Sequence, residues 1–193
     1  MAEVTAGITG AKLVTLEDVK RDAEVTAYID KANEYTGAIG YTEHGSRHAN
    51  LTASIAYNTL KRLGNQEREA QLASVAAYMH DIGNHEESHG EPVSPVGAAV
   101  ILADKSDVHR SRVRNPDPTT FDIHDRVNYA VEHSFLRVDE KSRTITLELG
   151  IDTKLSQVME YFEIFLTRMV MCRRAAKFLG CEFKLQINGA KLL

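Results

Sequence analysis

The chain has 193 residues, of which 43% are hydrophobic and 26% charged, with a formal net charge of −4 at pH 7. That length suits one domain with a real core. The negative balance and a sequence pI near 6.1 argue against a general nucleic-acid binder or a membrane-surface binder. Two cysteines, Cys172 and Cys181, make neither a disulfide framework nor a CxxC pair, so free thiols in a reducing compartment are expected. The start MAEVTAGITGAKLV lacks a basic segment followed by an apolar one, and no apolar run approaches the ~18 residues that span a membrane. A cytoplasmic protein is the expectation.

Residues 1–14 are small and weakly patterned and read as an arm. A helix is predicted from about 16 to 37, with Thr15 as N-cap, Asp18 three residues on, and Gly37 and Gly40 at its end. A second helix is predicted over 46–63, with Leu51, Ile55 and Leu60 on its apolar side and Gly64 as its stop. A third covers 66–82, where Leu72, Val75, Ala76 and Met79 fall at i, i+3, i+4 and i+7. Gly83 ends it, so His80 and Asp81 lie in its last turn. After the polar stretch NHEESHGEPV, Ser94 and Pro95 are a strong N-cap and first-position signal for a fourth, largely buried helix that carries Asp104. FDIHDRVNYAVEH is a fifth helix. SFLRVDEKSRTITLELGID then reads as two strands around a tight DEKS turn, because Ile145, Leu147 and Leu149 alternate with Thr144, Thr146 and Glu148. A long helix capped by Asp152 follows, and CEFKLQING is a last strand ending in an Asn-Gly turn. The expected fold is mainly α with a small C-terminal antiparallel sheet of about three strands. The whole chain, 1–193, is expected to form one domain: the arm, a helical core over 15–133 and a strand–strand–helix–strand tail over 134–193.

The densest chemistry lies in AYMHDIGNHEESHGEP, residues 77–92, which reads either as a metal site or as a solvated loop rich in histidine and acid. A cation such as Mn²⁺, Fe²⁺ or Mg²⁺ needs oxygen and imidazole ligands that converge from rigid elements. Neighbours on a helix point about 100° apart. His80 and Asp81 can therefore face one point only in a fraying last turn before Gly83, and other helices must supply further ligands. His48 is the best candidate from the second helix, where it shares a face with Leu51 and Ile55, and Asp104 is the best from the fourth. A His-Asp dipeptide alone is weak: His124 and Asp125 repeat it, and read as a surface or helix-packing pair. Lys105, His109, Arg110, Arg112 and Arg114 form a basic run beside Asp104, which either holds an anion or solvates a helix end. Arg47 is a weaker anion candidate. Glu43 and His44 read as partners of His48 or as plain loop. Phe162–Phe165 and Met169–Met171 read as core or oligomer interface. The cysteines have no paired base and are poor nucleophiles.

EHGSRHANL, then AAYMHDIGN, then ILADKSD resembles the HD-domain superfamily of metal-dependent phosphohydrolases, whose ordered signature is His, His-Asp, then a distant Asp. The resemblance covers nearly the whole chain, and HDIG is a common extended form in that superfamily. It implies a helical core, a divalent metal ion (Mn, Fe, Mg, Ni, Co or Zn) held by His48, His80, Asp81 and Asp104, and hydrolysis of a phosphate ester of a nucleotide or another small molecule. His80 and Asp81 would be the catalytic residues, Asp81 also taking a proton. Lys105, Arg110 and Arg112 would hold the substrate phosphate. A homodimer is the expected assembly. The chain departs from the pattern in two places. His80 and Asp104 are only 24 positions apart, where HD domains place one or two more helices. Asn84 stands where many catalytic members carry a phosphate-contacting Lys. His85 and His89 are candidates for a second metal that relatives bind through residues of the shortened region. The alternative expectation is a regulatory domain that binds metal or nucleotide without turnover.

Overall fold

The computed structural model describes residues 13–83 and 91–192. Most of the arm, together with Asn84, His85 and His89, therefore lies outside the described residues. Among the described residues, seven α-helices and four strands follow in order: α1 Leu16–Arg21, α2 Ala23–Ala38, α3 Ser46–Arg62, α4 Glu67–Met79, α5 Pro95–Ser106, α6 Ile123–Ala130, β1 Val131–Asp139, β2 Thr144–Ile151, α7 Val158–Phe178, β3 Glu182–Ile187 and β4 Ala190–Lys191. The architecture is mainly α with a small C-terminal sheet.

Thr15 caps α1 in a reciprocal capping box with Asp18. The single helix expected over 16–37 is two, because Asp22 takes an extended conformation and caps α2 by accepting from the amides of Glu24 and Val25. An Asp can end one helix and start the next, since its side chain replaces the backbone acceptor that a new first turn lacks.

The three helices that carry the candidate site pack through small residues. α3 packs on both α4 and α5. Its buried positions are His48, Ala49, Thr52, Ala53, Ala56, Thr59 and Leu60. The face expected to hold Leu51 and Ile55 is not the buried one: Leu51 is exposed and Ile55 half-buried. The stripe expected on α4 is displaced in the same way. Leu72 is exposed, and the buried positions are Ala70, Ala73, Ser74, Ala77 and Tyr78, the same spacing begun two residues earlier. With Ala98, Ala99 and Ala103 buried on α5, small side chains supply much of the buried face of all three helices. Short side chains let helices approach closely, and the dispersion contacts so gained offset the small apolar area of each residue. Judging a face by residue size alone misses this. The α4 stripe runs on in phase to His80 and Asp81, which places both groups where the three helices meet.

Ser94 caps α5 by accepting from the amide of Gly97, with Pro95 in the first turn. α6 is shorter than expected, since Val131–His133 leave it to open β1. α7 starts at Val158, capped by Gln157 in a capping box with Glu160. Asp152 instead closes a turn by accepting from the amide of Lys154.

The sheet has the order β1-β2-β3-β4. β1 and β2 are antiparallel as expected, but β2 and β3 run parallel, with Ile145 opposite Phe183, Leu147 opposite Leu185 and Leu149 opposite Ile187. The sheet is thus mixed. A helix as long as α7 returns the chain to the end at which β2 began, so the next strand enters in the same direction. The Asn-Gly turn is present, with φ of 51° at Asn188 and 83° at Gly189, and it adds β4. One apolar cluster joins Leu60 and Leu102 of the helices to Ile145, Leu185 and Phe165. Phe165, Met169 and Met171 are buried, so their stretch of α7 is core.

Candidate metal centre

The last turn of α4 tightens into a 3-10 turn over His80–Gly83. Consecutive residues of such a turn point about 120° apart, yet Asp81 Oδ1 reaches to 3.2 Å from His80 Nε2. The Nδ1 of His80 contacts the carbonyl of Ala77 at 2.7 Å. A carbonyl only accepts, so Nδ1 carries the proton and Nε2 faces the interior. The Nδ1 of His48 meets the Oδ2 of Asp107 at 2.6 Å, with the same consequence for its tautomer.

His48 of α3 and His80 and Asp81 at the end of α4 bring their ligand atoms together, and Asp104 of α5 stands against the two imidazoles. His48 Nε2 and His80 Nε2 are 3.2 Å apart. Asp81 Oδ1 is 3.2 Å from His80 Nε2, and its Oδ2 is 3.5 Å from His48 Nε2. Asp104 Oδ1 lies 3.5 Å from His48 Nε2 and 3.6 Å from His80 Nε2. Ligand atoms of His48, His80 and Asp81 all lie within 4.8 Å of one another. The short stretch between His80 and Asp104 thus does not keep Asp104 from the two imidazoles. Donor atoms about 2.1 Å from a common centre and at right angles stand about 3.0 Å apart, so these separations fit a divalent cation. A set of two imidazoles with carboxylates suits Mn, Fe, Co, Ni or Zn.

Charge supports the geometry. Burial opposes the ionised form of Asp104, but hydrogen bonds with His48 and His80 and the nearby Lys105 ammonium outweigh it and hold the carboxyl well below its usual range. Lys105 Nζ sits 2.6 Å from Asp104 Oδ2, which leaves Oδ1 for the cluster. Burial disfavours the imidazolium of His80, but Asp104, through a hydrogen bond and its charge, and Asp81 outweigh this and raise its pKa. Asp107 is held low against burial by His48, Arg112 and Arg47.

Asp107 is the residue that the sequence reading missed. It is buried and caps the end of α5, and it accepts from His48 and from Arg47, 2.8 Å away. Its signal was the three-residue spacing from Asp104, which keeps two side chains on one side of a helix end. Asp107→Asn should lower metal affinity about 10–100-fold, the usual effect of removing an outer partner of a metal-bound imidazole. Metal titration would check this; unchanged affinity would mean that His48 needs no orienting group.

The basic run does not form one patch. Arg112 is buried and donates to the carbonyls of Asp107 and Glu43. Arg110 pairs with Glu132 at 2.8 Å and stacks on Tyr129. His109 caps a short turn, and Arg114 bonds Asn33 and Thr42. Glu43 accepts from Arg47 and from the amide of Gly45. His44 donates from Nδ1 to Thr42 and faces Arg112 through Nε2. Burial and Arg112 push its pKa down to about 4. Its ring packs edge-on against His48, with centroids 5.5 Å apart. His124 is exposed, and Asp125 contacts Asn115. Cys172 is buried, which raises its thiol to about 12 and leaves it a poor nucleophile. No helix among the described residues is long and apolar enough to cross a membrane. Comparison of the chain with family models, with curated proteins and with solved structures returned no match.

Proposed function

We propose that this chain is a metal-dependent phosphohydrolase of the HD type, acting on a nucleotide or another small phosphate ester. One observation carries the reading. With both Nδ1 atoms turned to acceptors, the two Nε2 atoms face each other at 3.2 Å, with oxygens of Asp81 and Asp104 against them. A group so rich in acceptors needs positive charge among its members, the proton on His80 in the metal-free protein or a cation in its place. The chain order His48, His80-Asp81, Asp104 matches the HD signature and supports the same reading. A divalent cation, when bound, supplies a Lewis acid that makes hydroxide available near neutral pH and offsets charge on a phosphoryl oxygen. His48, His80, Asp81 and Asp104 would hold it, and Asp107 keeps His48 in the ligating tautomer. Asp81, the most accessible of the four at 15% side-chain exposure, would take a proton from attacking water.

The second reading, a binding domain without turnover, is favoured by the internal pairing of Lys105, Arg110 and Arg112, which leaves the expected phosphate contacts engaged with the protein. Elemental analysis of protein purified without chelator, followed by a phosphatase screen over nucleotides with Mn²⁺, Mg²⁺, Co²⁺ and Ni²⁺, separates the two. Metal with turnover that chelator abolishes supports the enzyme; metal without turnover supports the binding domain. Metal-free protein after remetallation trials would sink both.

A pH dependence follows. In the metal-free protein the proton on His80 is held by Asp104 and Asp81. Its contribution to stability is full below the ordinary imidazole pKa and is lost as pH rises through the raised value. Metal must displace that proton, so affinity should fall as pH drops below the raised value. Calorimetry in two buffers of different ionisation enthalpy should register proton release at neutral pH; none would count against His80 as a ligand.

A further inference from the structure

The sheet leaves two edges, and they differ. β4 is two residues long, which blunts that side, whereas β1 is a nine-residue strand that pairs with β2 alone. Alternate residues of an edge strand turn their N–H and C=O groups outward, where another strand can pair with them. Among the described residues, the backbone of β1 bonds away from β2 at one point: the Glu132 carbonyl accepts from His109 Nε2 at 3.2 Å. Arg110 holds the Glu132 side chain at the same place, so this cover ends where residues 133–139 begin.

A groove runs along that edge. Two adjoining cavities, of about 210 and 260 Å³, lie between β1 and α3 and share Leu51, Ile55, Ser134 and Leu136. Leu51 is 38% exposed and Phe135, at the rim, 42%. Leu51 and Ile55 mark the face of α3 that the sequence pattern expects to be buried and that a single chain leaves open. One end of the groove reaches Arg47 and Asp107, the pair that orients His48.

β1 is also complementary to itself. Ser134, Leu136 and Val138 are its less exposed set, and His133, Phe135, Arg137 and Asp139 its exposed one. Two copies of a strand that pair antiparallel about a two-fold axis set one residue opposite itself. Centred on Arg137, two guanidiniums would meet. Centred on Phe135, His133 would meet the partner's Arg137. Centred on Leu136, Phe135 meets the partner's Arg137 and His133 meets the partner's Asp139. Like charges directly opposite are destabilising, and a cation against a ring is favourable, so charge selects Leu136. Within one chain Arg137 already lies over Phe135, 5.4 Å from the ring centroid, and two hydrogen bonds to Glu148 set its plane.

We propose that a second copy of this chain pairs with β1, antiparallel about a two-fold axis at Leu136, so that one continuous sheet crosses a homodimer. The two Leu136 side chains then meet at the groove, and Leu51 is covered. The pairing stands on the edge, the groove and the strand's own letters, and needs no metal.

Sedimentation of the full chain reads the assembly, and single cysteines read the register. Wild type should be dimeric at micromolar concentration. Leu136→Cys should give a disulfide-linked dimer with diamide, because opposite Cα atoms of an antiparallel pair stand about 4.5–5.5 Å apart, within the reach of a disulfide. Phe135→Cys, whose two copies stand diagonally, should link much less. The native Cys172 and Cys181 are buried and do not compete. Phe135→Lys sets an ammonium against the partner's Arg137 on an exposed face, and should weaken the dimer at least about tenfold with metal uptake unchanged. Leu51→Lys, on α3, should weaken it likewise and serves where the first variant folds poorly. The proposal is overturned if wild type is monomeric at high micromolar concentration, which would leave the edge to a strand of another protein. It is overturned equally if both lysine variants dimerise within about twofold of wild type, or if Phe135→Cys links more readily than Leu136→Cys, which would place the axis elsewhere.

Discussion

His80→Ala is expected to lower metal affinity by more than the roughly 10–100-fold that loss of an outer partner costs, and Asp104→Ala is expected to match it. Both groups face the cluster directly. His80 Nε2 is 3.2 Å from His48 Nε2, and Asp104 Oδ1 is within 3.6 Å of both imidazoles. Removal of either leaves fewer donors and, in the case of Asp104, leaves the Lys105 ammonium buried beside a neutral methyl. His85→Ala and His89→Ala should retain most of the metal at this site. Elemental analysis of the four variants reads the result. Full retention in Asp104→Ala with loss in His85→Ala would mean that the stretch after HDIG has taken over the role given to the distant aspartate. A fold effect is separable from a ligand effect by Asp104→Asn. It keeps the volume and one oxygen, and should still bind metal poorly because the carboxylate charge is gone.

Much of this site was legible because its markers are local. Thr15 with Asp18, and Ser94 with Pro95, each cap a helix through a side chain that bonds within three residues, so neighbouring letters suffice. His80-Asp81 before Gly83 announced the end of α4, and the chain does close there in a 3-10 turn. The misses share a different cause. The buried faces of α3 and α4 are rich in alanine and other small residues, and which face a helix hides depends on how closely its partners can approach. The direction of β3 depends on the path of α7, a matter of topology between strands far apart in sequence. Asp107 is three residues from a recognised ligand candidate, yet its role needs His48, 59 residues away, to be in place. The basic run was the least legible feature. Arg110 and Arg112 are separated by one residue, but one lies near the surface against Glu132 and the other is enclosed. Charge letters give no sign of which side of a turn each will take.

Arg112 carries the second large expectation. Its guanidinium is 1% exposed. It donates to the carbonyl of Asp107 at 2.8 Å and to the carbonyl of Glu43 at 2.9 Å, and stands 3.1 Å from His44 Nε2 and 3.7 Å from the carboxylate of Asp107. The backbone returns the contact, since the amide of Glu43 donates to the carbonyl of Arg112. One side chain thus ties the segment after α5, which bears Asp104, to the turn before α3, which bears His48. Arg112→Met keeps much of the volume and removes every donor. Two carbonyls and the Asp107 carboxylate then lose a buried partner, and the expected loss is about 3–5 kcal/mol, the range for breaking a buried ion pair from one side. Against a total of about 5–15 kcal/mol for a typical domain, that is a large share, and it should appear as a lower midpoint in chemical denaturation with an unchanged slope. Arg112→Lys should recover little, since an ammonium cannot reach three acceptors in the plane that the guanidinium spans. The outcome also decides between two roles. A phosphate-binding arginine would leave stability nearly intact and raise KM for a phosphate ester. A tie between the two halves of the site would lower stability and metal affinity together, with KM changed only as far as metal is lost. A loss of less than about 1 kcal/mol, the size of one ordinary hydrogen bond, would remove the structural role and return Arg112 to the candidates for the substrate.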